Sequence, residues 1–359
     1  MVHAQAKVLL PNLTQLDLTT ESPSENQLVW IRAFLSPSLE KIRVFPPDNT
    51  TPFISYIEAS KILGYIISTC PRLKVLYLYP KHQDPTQTTE GFSDAREVID
   101  FWDSSMPLYL SKLHSLIELD STTELLTPSN LPYLSQLPHL ETLLLHPSNS
   151  PFLYQSHPPP NSFRSLRSLT LARIPYTLFT EIWRLQIFDQ LTYLSLVFTS
   201  LPEGQQERGV WSSNLVSLIC DTCLKLANLR LDFDRYDQLG WVELIPSTFI
   251  PPMKALSLTF LELRCAYLSE EGVSTAYSMM PMAWSTITNL SLDEFHVTEK
   301  ELHWFTELPV LEELTVELSV SQPPTPDSTE SISQRNTSFK TLRSSHDVDI
   351  KGDIHQIAR

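Results

Sequence analysis

Apolar residues do not run evenly along this chain. They recur in a six-residue frame, apolar at positions 1, 4 and 6 and mostly polar between. Seven segments fit Leu-x-x-Leu-x-Leu strictly: LTQLDL at Leu13, LKVLYL at Leu73, LETLLL at Leu140, LRSLTL at Leu166, LTYLSL at Leu191, LANLRL at Leu226 and LTFLEL at Leu258. The 359 residues include 57 Leu, and chance placement at that frequency yields about 1.4 such matches, so composition alone does not produce seven. Looser copies fill the gaps: LEKIRV at Leu39, LIELDS at Leu116, ITNLSL at Ile287, LEELTV at Leu311 and FKTLRS at Phe339. Within each copy, positions 4 and 6 alternate with outward neighbours at a period of two, as in a strand with one buried face. The frame predicts a short strand at every copy, with its x positions facing out.

Successive starts lie 26, 34, 43, 24, 26, 25, 35, 32, 29, 24 and 28 residues apart, mostly close to a repeat of 20 to 29 residues with insertions. A single copy cannot bury its own leucines, but stacked neighbours build one continuous core. The predicted fold is therefore α/β, a leucine-rich-repeat solenoid with a curved parallel sheet on the concave face and helices and irregular turns on the convex face. Helical spacing is clearest in SYIEASKILGYIISTC, where Ser55 and Glu58 form a capping-box pattern, and in TEKELHWFTEL, where Thr298 and Glu301 do the same. Further helices are expected around Ala95 to Leu113, Tyr176 to Phe188, Trp211 to Cys223 and Glu270 to Met280.

Three polar, proline-bearing stretches break the periodicity: KHQDPTQTTEGFSD, HPSNSPFLYQSHPPPNS and SQPPTPDSTESISQRNTS. They read as loops, expected to be mobile or disordered. The domain reading is a repeat solenoid over 1–320, a disordered acidic linker rich in Pro, Ser and Thr over 321–338, and a degenerate terminal repeat with a tail over 339–359. Thr325 precedes Pro326 in that linker, a pattern open to a proline-directed kinase, with an unmodified linker as the plainer expectation.

Composition narrows the function. A net charge of −15 disfavours nucleic-acid phosphates and anionic membranes and favours neutral or basic protein surfaces. Seven Gly give little scope for phosphate-cradling loops. Four cysteines, Cys70, Cys220, Cys223 and Cys265, are too few for a disulfide framework. No secretory leader or long apolar run appears, and a cytoplasmic or nuclear location is expected.

Chemistry is sparse. Cys220 and Cys223 form C-x-x-C without a second pair, which reads as burial on a helix face in preference to zinc or redox chemistry. No H-x-x-x-H, H-E-x-x-H or G-x-S-x-G occurs. His146 follows a strand and is expected to be solvent-exposed. The sequence predicts no enzyme, no cofactor and no metal site. Binding is expected on the concave x positions, where Tyr77 and Tyr79 offer aromatic anchors and Arg230, Asp232, Glu262, Arg264, Asn289 and Asp293 form a charged and polar cluster.

Phrases such as LLPNLTQLDL, FLSPSLEKIRV, ISTCPRLKVLYL and LPHLETLLL resemble the irregular repeat region of fungal F-box/leucine-rich-repeat proteins of the mushroom type, over most of the chain. That resemblance implies substrate recognition for an SCF ubiquitin ligase, with the small adaptor and the cullin as further partners. The alternatives are a ligase-independent repeat scaffold and a truncated receptor without adaptor binding. In the family an amino-terminal F-box docks on the adaptor; here eight residues precede Leu9, with no Leu-Pro-x-Glu opening. Adaptor docking therefore does not carry over, and AQAKVLL reads as the end of a helix before the first strand. The first repeat is expected to expose an open core end, as after loss of an upstream segment. The Asn or Cys usual three residues after the last strand leucine is replaced by Glu21, Ser148, Thr199 and Asp234, expected to bond turn backbone instead.

Overall fold

Every second residue of the frame turns inward, and a strand forms where that alternation lets a leucine pair enter the stack. The computed structural model describes residues 8–19, 25–45, 54–81, 105–148, 162–185, 187–233, 242–268, 273–319 and 338–344. The expected loop stretches fall largely outside these residues, as do residues 1–7, Thr325, and Glu21 and Asp234. The chain divides into two compact units, Met1–Ala172 with Thr177–Ile187, and Arg173–Tyr176 with Phe188–Arg359.

In the first unit, six strands follow one another in parallel: β1 (Gln15–Thr19), β2 (Lys41–Phe45), β4 (Val75–Tyr77), β6 (Glu118–Thr122), β7 (Thr142–His146) and β8 (Ser168–Pro175). The short strands β3 (Ile54–Ser55) and β5 (Pro80–Lys81) form a separate pair. In the second unit the order is β9 (Tyr193–Ser200), β10 (Asn228–Asp232), β12 (Phe260–Arg264), β14 (Asn289–Thr298), β15 (Glu313–Ser319) and β16 (Thr341–Ser344), again parallel. A smaller pair joins β11 (Val242–Leu244) to β13 (Ala266–Leu268). Each of the twelve predicted copies thus supplies one strand of a parallel repeat sheet, and both units have the α/β leucine-rich-repeat architecture.

The frame is copied faithfully into the packing. In copy after copy positions 1, 4 and 6 are closed to solvent, as with Leu166, Leu169 and Leu171, or Leu191, Leu194 and Leu196, all at 0% exposure. Each such leucine contributes about 1.5–3 kcal/mol of burial. Outer copies differ: Leu13, Leu16 and Leu18 are only half-buried and Leu342 is 40% exposed. In LIELDS, Ser121 takes a leucine's place at 0% exposure, and its hydroxyl donates to the Leu78 carbonyl at 2.6 Å. That bond offsets the cost of burying the hydroxyl.

Backbone bonds fix the register. The carbonyl at frame position 2 accepts two amides of the next copy: Glu40 from Lys74 and Val75, and Ala227 from Thr259 and Phe260. A tight turn precedes the strand, the amide at position 1 donating three residues back, as from Leu73 to Cys70 and Leu226 to Cys223. The turn residue is inside, whether Cys70, Phe188, Cys223, Trp284 or Leu308. Cys70 and Cys223 therefore occupy equivalent core positions. Cys220 reaches the core from the helix Gln205–Thr222, and burial pushes all three thiols up to about 12.

Helices fill the side opposite the outward x positions. They are α1 (Glu25–Phe34), α2 (Tyr56–Thr69), α3 (described over 105–110), α4 (Leu131–Leu134), α5 (Tyr176–Trp183), α6 (Gln205–Thr222), α7 (Pro246–Met253), α8 (Val273–Ala283) and α9 (Glu299–Thr306). Both predicted caps form: the Ser55 hydroxyl accepts from the Glu58 amide at 3.2 Å, and the Glu301 carboxylate accepts from the Thr298 amide at 2.9 Å. No helix among the described residues is long and apolar enough to cross a membrane.

Candidate functional site

Outward positions 3, 5 and 7 of the frame form the face on which a ligand can meet each unit. In the first unit, position 5 carries Asp17, Arg43, Tyr77 and Asp120 on successive strands, in register. The Arg43 guanidinium lies 4.8 Å from the Tyr77 ring centroid and 4.0 Å from Asp17, with Lys41 Nζ 5.8 Å from the same ring. The Tyr77 hydroxyl donates to Glu118 at 2.6 Å. Burial and the Glu118 carboxylate both raise the pKa of this hydroxyl.

Tyr79 is a different residue in kind. It is 6% exposed, and its hydroxyl donates to Asp120 Oδ2 at 2.9 Å. The His146 ring stands edge-on to it at 5.3 Å, and His146 Nε2 lies 3.1 Å from Asp120 Oδ1. Asp120 is itself 7% exposed, so the imidazole and the Tyr79 hydroxyl meet the carboxylate in a place largely closed to solvent. The expectation that Tyr79 is an open aromatic anchor is corrected by its burial: it holds Asp120, and Tyr77 keeps the more open position. Nor is His146 plainly solvent-exposed, since its side chain is 28% exposed and faces Asp120.

The second unit brings together five of the six residues expected to cluster there. Arg230 stands opposite Glu262, and Asp232 opposite Arg264, on β10 and β12. The result is a two-by-two checkerboard of charge. Arg230 reaches Asp232 at 3.4 Å and Glu262 at 3.5 Å; Arg264 reaches Asp232 at 3.6 Å, Glu262 at 3.8 Å and Asp293 at 3.1 Å. A register shift in β14 between Leu292 and His296 sets Asp293 at an irregularity of the sheet, the kind of bulge that re-aims a side chain. Glu262 is pushed up despite its two arginines, because burial outweighs their attraction. Burial works against the charge on Arg264, but the carboxylates of Asp232, Asp293 and Glu262 together outweigh it and raise its pKa. Asn289 lies outside the network, its Oδ1 accepting from the Thr288 hydroxyl at 2.9 Å.

The sequence reading passed over Asp17, Arg43, Glu118 and Asp120. They occupy the same outward positions as the residues it named, and that periodicity is the signal that could have found them. Of the polar residues replacing the usual Asn, Thr199 bonds the Arg173 carbonyl at 3.3 Å, and the Ser148 amide donates to the Thr123 hydroxyl at 3.1 Å. Among the described residues, no group of three His, Cys, Asp or Glu side chains could hold a metal ion.

No family model matches the chain, and no curated protein matches it in sequence. Among solved structures it is similar to an internalin from Listeria monocytogenes, at 14% identity and a TM-score of 0.43, over 93% of this chain and 87% of that one.

Proposed function

We propose that this chain is a protein-interaction module that holds its target on the outward sheet faces of its repeats. The carrying observation is the charged checkerboard of Arg230, Asp232, Glu262 and Arg264 with Asp293. Parallel strands hold these long side chains in place before any partner arrives, which lowers the ordering cost of binding. Electrostatic complementarity of such a face selects partners more than it adds raw affinity.

At a finer level, the target is a substrate presented to an SCF ubiquitin ligase, with the adaptor and cullin as further partners in a cytoplasmic or nuclear setting. What supports this is the wording of the repeat segments, LLPNLTQLDL and ISTCPRLKVLYL among them. Affinity capture of the tagged chain from its native cells, read by mass spectrometry, tests it. Recovery of the adaptor and cullin together with a target is expected. Recovery of targets without either subunit would leave the interaction module standing and remove the ligase.

A further inference from the structure

Positions 5 and 7 of the second unit are largely engaged with one another, and position 3 is not. Along position 3, strands β9, β10, β12, β14 and β15 set Tyr193, Asn228, Phe260, Asn289 and Glu313 side by side in register, each half-buried. Tyr193, Asn228, Phe260 and Glu313 make no side-chain hydrogen bond, ion pair or ring contact among the described residues, and Asn289 uses only its Oδ1. The checkerboard is thus satisfied internally, and the row beside it holds the unspent bonding capacity.

That capacity has a particular chemistry. A side-chain amide donates and accepts at once, matching the N–H and C=O of an extended backbone. Strands lie about 4.8 Å apart, so Asn228 and Asn289, two strands apart, are separated by about 9.6 Å, close to the ~10 Å that three residues of extended chain cover. Phe260 stands between the two amides and Tyr193 at one end, offering apolar surface to the intervening side chains. Glu313 closes the other end with a carboxylate that has no cationic partner among the described residues. In a chain of net charge −15, a cationic side chain complements it.

We propose that this row is the docking site for an extended peptide segment that crosses the strands, bonding its backbone to Asn228 and Asn289 and placing a Lys or Arg on Glu313. The proposal rests on the protein-interaction reading and deepens it. A neutral oligosaccharide could use the amides and rings but would leave Glu313 uncompensated, so the peptide is favoured.

The test applies the full chain, fluorescently labelled, to a glass-bound array of random peptides about nine residues long, with soluble chitohexaose and laminarihexaose as competing probes. Affinities of the best peptides follow by anisotropy. Binders should share a Lys or Arg at a fixed offset. Asn228→Ala and Asn289→Ala should each weaken them about tenfold, as for loss of one buried hydrogen bond. Glu313→Gln should abolish the preference for the basic residue, while Leu224→Ser, at an exposed residue outside the strands, should leave affinity unchanged. Thermal unfolding checks each variant; if Asn228→Ala does not fold, Asn228→Asp, of equal size but unable to donate, replaces it. Peptide affinities unmoved by the three position-3 variants would overturn the proposal and leave the interaction reading intact. So would an array without binders while affinity capture still recovers targets. Oligosaccharide binding alone, or no target in either assay, would overturn both.

Discussion

Tyr77 and Tyr79 stand two residues apart and end in the same hydroxyl, yet their surroundings give them opposite work. Tyr77 lies under Arg43 and Lys41, while Tyr79 is closed in and donates to Asp120. Tyr79→Phe leaves Asp120 short of a donor in a buried place, and should cost about 1–3 kcal/mol in chemical unfolding; a cost near zero would mean that solvent reaches the carboxylate. The thiols give a second prediction. Cys70, Cys220 and Cys223 have pKa values raised from 9.0 to about 12 in the folded chain. Their folded values lie above the unfolded ones, so the folded state keeps protons that the unfolded state gives up. Their contribution is therefore intact below about pH 9 and lost as pH rises toward about 12. Unfolding free energy followed from pH 7 upward should fall through that window, and Cys223→Ala should flatten the fall, whatever it does to stability at neutral pH.

At the scale of the element, the strands were legible because a period of two leaves a mark at every copy, and the caps because Ser55 and Thr298 each precede a glutamate by three residues. Helix α7 was not. It contains Pro251 and Pro252, residues that cost a helix interior a hydrogen bond each. Phe249, Ile250 and Met253 are nevertheless buried, and that packing outweighs the local preference. The turn position that buries Cys70, Phe188 and Trp284 went unread because residue type and size vary there while burial inside the stack is what they share. Likewise the outward cluster of Arg230 to Asp293 was legible as a set of positions. Which of its members neutralise one another depends on β10 lying beside β12, and that is a tertiary fact. The frame itself makes a sharp prediction. Leu229→Ala, at an inward position 1% exposed, should cost about 2–5 kcal/mol. Thr315→Ala, outward on β15, should stay within about 0.5 kcal/mol. Equal costs would contradict the inward and outward assignment.

In the molecule as a whole, a repeat frame builds two α/β units, and the sheet face of each carries organised charge. Formal charge adds a direction: at −15, long-range attraction favours cationic surfaces and weakens as salt rises. The most direct test compares partners captured by three forms of the full chain at equal expression: the natural sequence, Arg230→Glu with Arg264→Glu, and Leu224→Ser. Leu224 is 62% exposed just beyond helix α6, away from the outward strand positions, so its change probes the rest of the surface. The account predicts that the double charge reversal loses partners that the natural chain and Leu224→Ser both retain, with all three forms still folded. Retention of every partner by the charge-reversed form would contradict a part for the checkerboard in holding the target, and their loss on Leu224→Ser alone would contradict the assignment of binding to the sheet face.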